Sequence, residues 1–243
     1  MVRIHPPEPK EYLYMFFVAA PFGNYLKFDD VLSVSGTWTL KPRPGRFKQI
    51  AKTLRYTKRG WVNKLGLRNK GIDHGLKHHG DVLSIAAIEQ ADWYELHKKI
   101  PKDMSVEVNL GCPNVQPNLF PGFASFTRES REWCIAKIPP TFEEKDIDFI
   151  IQSGFKQIHA CNTIPTKDGG LSGREVMPHT IRILNYIKKK HSDITVIAGG
   201  GVTELLHAQY YIDAGADHIS LGTICFSPWK IKKIINNTTF IKL

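Results

Sequence analysis

The chain has 243 residues, 42% of them hydrophobic and 23% charged, with a formal net charge of +10 at pH 7. This is ordinary globular composition, at a length suited to one large domain or two small ones and close to the ~250 residues of a (β/α)8 barrel. No apolar run reaches the ~18 residues a helix needs to span a bilayer, whereas the positive charge permits anionic ligands from a phosphate-bearing cofactor to RNA.

The richest apolar stretch, residues 12–22, is short, carries Pro21, and lacks the charged start and small-residue cleavage site of a signal peptide, so a soluble cytoplasmic protein is expected. In chain order, runs rich in Val, Ile or aromatic residues predict strands at 15–19 and 31–35. Residues 39–81 show no clear core helix. Strands follow at 82–86 and 106–110, separated by a helix over 88–99, and residues 119–131 make only a poor helix. The strand at 134–138 is stopped by Pro139 and Pro140. A helix over 142–153 then ends at Gly154, a residue suited to the position after a helix. Next come a strand at 156–160, a helix over 178–191 with Pro178 in its first turn, and a strand at 195–198. Thr203 is expected to cap a helix over 204–214 that Gly215 closes. A strand at 218–221 precedes a last helix from Ser227 and Pro228 to about Ile235. Strands alternating with helices imply a parallel sheet with right-handed crossovers, and eight strands favour a closed α/β TIM barrel over an open sheet. No repeat or low-complexity linker divides residues 1–243, which read as one domain.

The cysteines are Cys112, Cys134, Cys161 and Cys225, with no C-x-x-C pair, so neither structural zinc nor a disulfide framework is expected. Cys134 and Cys161 lie in apolar strand patterns and read as small core residues. Cys112 differs. The segment from Val106 to Asn114 reads as a strand that runs into a polar turn, with the thiol between the carboxamides of Asn109 and Asn114 and Pro113 expected to stiffen the bend. Side chains at the C-terminal end of a barrel strand face the active site, so a candidate base and two amides project into one pocket.

Glycine motifs follow the seventh and eighth strands, at Gly199, Gly200 and Gly201 and at Gly222 with Thr223. Either alone could be a tight βα turn. Together they occupy the usual phosphate site of a barrel, where backbone amides close on phosphate oxygens. Gly169, Gly170 and Gly173 suit a loop passing close to a ligand. Lys137, inside an apolar strand, must meet an anion or escape to solvent. Asn63, Asn109, Asn114 and Asn162 offer donors and acceptors that suit a cyclic imide.

Taken together, these residues resemble the dihydroorotate dehydrogenase family, flavin mononucleotide (FMN) enzymes on a (β/α)8 barrel, over about residues 19–232. The run from Thr39 to Gly45 resembles the family's Thr-Leu-x-x-Arg-x-Gly. The run from Asn63 to Gly71 resembles its Asn-x-x-Gly-Leu-x-Asn-x-Gly substrate loop, and the cysteine turn, Asn162-Thr163 and the glycine motifs follow in family order. The resemblance implies Cys112 as the base that takes a proton from C5 of dihydroorotate, with Asn63, Gly66, Leu67, Asn109, Asn114, Asn162 and Thr163 on the substrate. It implies Ala20, Gly36, Thr37, Asn109, Lys137, Cys161, Gly173, Gly200, Gly201, Gly222 and Thr223 on FMN, and no metal. The implied partner is dihydroorotate or orotate; a homodimer is compatible, and neither membrane nor nucleic acid is expected. The chain departs from the family at Gly36, where the family carries a lysine, at Gly111, where it carries serine, and in a shortened segment after Asn114. A tRNA dihydrouridine synthase shares the flavin barrel and the glycine before the cysteine, and the +10 charge would suit tRNA. No C-terminal helical RNA-binding domain is read, however. A non-catalytic flavin- or pyrimidine-binding relic is the remaining alternative.

Overall fold

The computed structural model describes residues 14–111 and 122–238. Its elements, in chain order, begin with β1 (Phe16–Val18), β2 (Val31–Trp38), α1 (Arg46–Thr53), β3 (Arg55–Thr57), β4 (Gly60–Asn63) and α2 (Ile72–Lys77). They continue with β5 (Val82–Ile85), α3 (Gln90–Lys99), β6 (Val106–Asn109), β7 (Cys134–Ile138), α4 (Glu144–Gln152) and β8 (Gln157–Ala160). The last are β9 (Ile164–Thr166), β10 (Gly169–Ser172), α5 (Met177–Lys190), β11 (Thr195–Gly199), α6 (Leu205–Asp213), β12 (His218–Leu221) and α7 (Pro228–Thr238).

Parallel strands covered on both faces read as short, continuous apolar runs. The eight such runs close into a barrel in the order β1-β12-β11-β8-β7-β6-β5-β2, with every pair parallel. The chain is therefore a (β/α)8 barrel, as the strand count predicts.

Two apolar clusters fill it. The larger lies between the strands and the outer helices. In α5 it takes Ile183, Leu184 and Ile187, one stripe of an amphipathic helix, each contributing about 1.5–3 kcal/mol by burial. The smaller is a plug of Phe17, Val34, Val82, Trp133, Ile135 and Ile197. Phe17 and Trp133 meet edge to face there, with ring centroids 5.0 Å apart. A polar set, Ser84, Glu107, Lys137 and His159, is also buried on the barrel strands.

Three local expectations need correction. Residues 39–81 do form helices, α1 and α2, although α1 buries only Thr53 and leaves Phe47 82% exposed, so it carries no core stripe to read. Gly169–Ser172 is a strand, not a loop; it pairs antiparallel with both β4 and β9, giving a four-stranded accessory sheet in the order β3-β4-β10-β9. Thr203 does not cap α6. The helix starts after Glu204, and His207 Nδ1 instead reaches back to accept from the Thr203 amide at 3.3 Å.

Candidate functional site

At the C-terminal ends of the strands lies a cavity of about 460 Å³, a size typical of sites for cofactors and small molecules. A second cavity of about 140 Å³ adjoins it. Both are lined by Ala20, Arg46, Asn63, Asn162 and Thr163. The larger alone takes Lys137, Cys161, Gly200, Gly201, Gly222 and Thr223. The smaller alone takes Gly36, Thr37, Gly66 and Leu67. Asn109 and Gly173 line neither. Cys112 and Asn114 lie outside the described residues.

The glycine turn after β11 is shaped from behind. Thr180 Oγ1 on α5 donates to the Gly199 carbonyl at 2.8 Å, and Tyr211 Oη on α6 donates to the Gly200 carbonyl at 2.7 Å. In a planar trans peptide the carbonyl and the following N–H point in opposite directions. The amides of Gly200 and Gly201 are thereby turned away from Thr180 and Tyr211, and both glycines line the cavity. Gly201 has φ +73°, and a Cβ there would stand 2.6 Å from Met177 Cγ and 3.0 Å from the Gly173 carbonyl oxygen, so the position tolerates only glycine. A Cβ on Gly222 would meet nothing within 4 Å. Ser220 Oγ is buried on the cavity wall with no hydrogen-bond partner among the described residues, which a polar ligand atom would supply. These features fit a phosphate-bearing cofactor. Sequence reading missed Thr180 and Tyr211 because each is an ordinary polar residue on a core-facing helix.

Lys137 finds its anion inside the barrel. Its Nζ lies 3.7 Å from Glu107 Oε1, while His159 Nδ1 lies 2.7 Å from Glu107 Oε2 and Ser84 Oγ donates to Oε1 at 2.8 Å. Burial pushes the Glu107 carboxyl up, but Lys137 and the hydrogen bonds from His159 and Ser84 outweigh it and bring its pKa down to about 2. Burial, followed by the Lys137 charge, lowers the His159 pKa against the pull of Glu107. The consistent assignment is a neutral imidazole donating from Nδ1 to an ionised Glu107, with Lys137 balancing the charge. From Ser84 the chain of bonds continues to Thr37 Oγ1 at 3.0 Å, to which Asn109 Nδ2 donates at 3.1 Å. Asn162 Nδ2 in turn donates to Asn109 Oδ1 at 2.8 Å. Asn109 thus stands behind the cavity wall and orients Thr37 and Asn162.

The substrate-loop residues are set by side chains of the irregular first half. Asn69 is a hub. Its Nδ2 donates to the Leu67 carbonyl at 2.6 Å, and its Oδ1 accepts from the Gly71 amide at 2.7 Å. Nδ2 also donates to Thr39 Oγ1 at 2.9 Å. This holds Leu67 at φ 55°, a backbone conformation that costs a branched residue energy.

Gly36, the position of the expected lysine, has no room for a side chain. It has φ +110°, and a Cβ would lie 2.4 Å from the Ser84 carbonyl oxygen and 2.9 Å from Trp38 Cδ1. Asn24 clamps its backbone, accepting from the Gly36 amide at 3.0 Å and donating to its carbonyl at 3.3 Å. Cys134, Cys161 and Cys225 are each pushed up to about 12 by burial, which makes them poor bases. Cys161 lines the larger cavity, yet its Sγ is engaged with Thr180 Oγ1 at 3.3 Å. Among the described residues no group of three or more potential ligands could hold a metal ion, and no helix is long and apolar enough to cross a membrane.

The family model described as Dihydroorotate dehydrogenase matches residues 22–239. The chain belongs to the dihydroorotate dehydrogenase family. It is 29% identical to a Thermotoga petrophila protein named "Dihydroorotate dehydrogenase B (NAD(+)), catalytic subunit", over 93% of each chain. A protein of the same name from Staphylococcus carnosus is 28% identical, over 74% of this chain and 71% of its own. Among solved structures, the dihydroorotate dehydrogenase of Eimeria tenella in complex with ferulenol superposes with a TM-score of 0.68 at 18% identity, covering 93% of this chain and 82% of that one. At that identity the likeness shows the fold alone. The family match favours the dehydrogenase over the dihydrouridine synthase resemblance.

Proposed function

We propose that this protein is an FMN-dependent oxidoreductase that converts dihydroorotate to orotate in pyrimidine biosynthesis. The observation that carries the reading is the junction of two cavities: one lined by the glycine turns after β11 and β12 and by a buried lysine, the other by Gly36, Thr37, Gly66 and Leu67, with Asn63, Asn162 and Thr163 shared between them. The amides of Gly200, Gly201, Gly222 and Thr223 would hold the cofactor phosphate. Ala20, Gly36, Thr37 and Cys161 would flank the rest of FMN, with Asn109 fixing Thr37, whereas Gly173 lies behind the cavity wall and backs Gly201. Lys137 would hold positive potential at the ring, and its pairing with Glu107 keeps that charge from standing alone in the barrel. When bound, FMN supplies the acceptor for the hydride that leaves C6 of the substrate.

On the substrate side, Asn63, Asn114, Asn162 and Thr163 would pair with the imide edge, and the backbone of Gly66 and Leu67 would close the pocket. Cys112 would take the proton from C5. The other three thiols are held protonated by burial, which supports Cys112 as the base. Its own thiol, ~8.5 in free cysteine, must be lowered by its surroundings to act near neutral pH. The test is Cys112→Ala. Flavin should stay bound while its anaerobic reduction by dihydroorotate slows ~10²–10⁴-fold. Reduction at the wild-type rate would exclude Cys112 as the base.

A further inference from the structure

A carboxylate-bearing ring that enters the smaller cavity needs a cation, and the position where sequence reading sought one, Gly36, cannot carry a side chain. The cations on the cavity walls are Lys137, Arg68 and Arg46. Lys137 is committed to Glu107 at 3.7 Å, on the side of the larger cavity. Arg68 Nη1 is committed to the Pro44 carbonyl at 2.7 Å. Arg46 lines both cavities and has no carboxylate partner among the described residues; its guanidinium rests over the Tyr25 ring, 5.6 Å from the centroid.

The helix that carries Arg46 points the same way. A positive charge in the first turn of a helix is opposed by the macrodipole, and the first turn of α1 contains no acidic residue to relieve it. The helix buries only Thr53, so it does not serve the core. What it presents to the cavity are Arg46 and Ile50. A half-buried arginine kept at a helix start against local electrostatics, with its fork unspent, matches the planar geometry of a carboxylate.

We infer that Arg46 is the carboxylate anchor of the smaller cavity, so that the site selects cyclic amides bearing a carboxylate over neutral ones. The inference rests on the dihydroorotate reading above. Orotate and the neutral ring uracil would be titrated calorimetrically into the flavin-loaded protein and into Arg46→Met and Arg46→Lys variants. Arg46→Met should weaken orotate ~10- to 150-fold, the worth of a hydrogen bond to a charged group, and leave uracil and flavin binding unchanged. Arg46→Lys should recover part of the loss, because it restores charge without the fork. Undiminished orotate binding by Arg46→Met would overturn the anchor while leaving the substrate reading intact. Equal loss of orotate and uracil, or loss of flavin, would also overturn it, by making Arg46 a general structural or cofactor residue. Wild-type protein that holds flavin but binds no orotate would remove the substrate reading itself, and the anchor with it.

Discussion

The two sides of the site are built by opposite means. The proposed phosphate side, at the ends of β11 and β12, is made of backbone: two glycine turns, of which the one after β11 has its carbonyls tied back to Thr180 and Tyr211. The proposed substrate side, between residues 39 and 71, is a loop whose backbone is held by side chains, with Asn69 tying Thr39, Leu67 and Gly71 together. A phosphate presents the same oxygens in every direction and is held well by amides, which any residue supplies where glycine lets the chain approach. A ring with ordered donors and acceptors needs particular side chains at particular angles, and those require a scaffold of their own. Beneath both sides lies the Glu107, Lys137 and His159 cluster, which neither side can lose without consequence.

That shared layer should show the largest effect. Glu107→Gln leaves Lys137 buried without its counter-charge and should cost ~3–5 kcal/mol of stability at neutral pH, measured by denaturant unfolding. The carboxyl titrates lower in the folded state than its ordinary value of 4.5, at about 2, so its stabilisation is fully present above pH 4.5 and lost as the pH falls from 4.5 towards 2. The gap between wild type and variant should close over that window. A gap independent of pH would mean that Glu107 acts by packing alone.

The phosphate side breaks next. Gly201→Leu meets both the φ of +73° and the 2.6 Å approach of Met177. It should weaken FMN ~10²-fold or more, read by quenching of flavin fluorescence, as strain and clash of about 3 kcal/mol would require. On the substrate side, Asn69→Ala removes a buried hub and should destabilise by about 1–3 kcal/mol. Its orotate affinity should fall more than its FMN affinity. An equal fall in both would erase the distinction between the two sides. The smallest effect sharpens the phosphate side. Tyr211→Phe deletes one hydrogen bond behind the Gly200 carbonyl, worth about 0.5–1.5 kcal/mol, and should weaken FMN up to ~10-fold while leaving riboflavin, which has no phosphate, unaffected.

The same contrast explains what could be read from the sequence. Each barrel strand was legible because a strand buried on both faces is a short apolar run, and the glycine pairs were legible because a backbone cradle must spell itself in glycine. Lys137 announced a partner, but Glu107 did not: it sits beside Val106 and Val108 in what reads as plain alternation, and its contacts reach 52 residues along the chain to His159. The first half resisted for a different reason. α1 turns Arg46 and Ile50 to a cavity and leaves Phe47 82% exposed, so its apolar residues do not mark a helix packed on the core. The strands of the accessory sheet pair β4 with β10 across more than a hundred residues, a register no local pattern reveals. Thr203 looked like a helix cap because the residue type is right, yet His207 reaches back to its amide instead.

The most direct test of the functional account is a visible spectrum of the purified protein taken without oxygen, before and after dihydroorotate is added. The account predicts a yellow protein carrying one noncovalent FMN, whose absorbance bleaches on addition of dihydroorotate as orotate forms in equal amount. A protein that binds FMN in the cradle of Gly200, Gly201, Gly222 and Thr223 but keeps its colour with saturating dihydroorotate would contradict it.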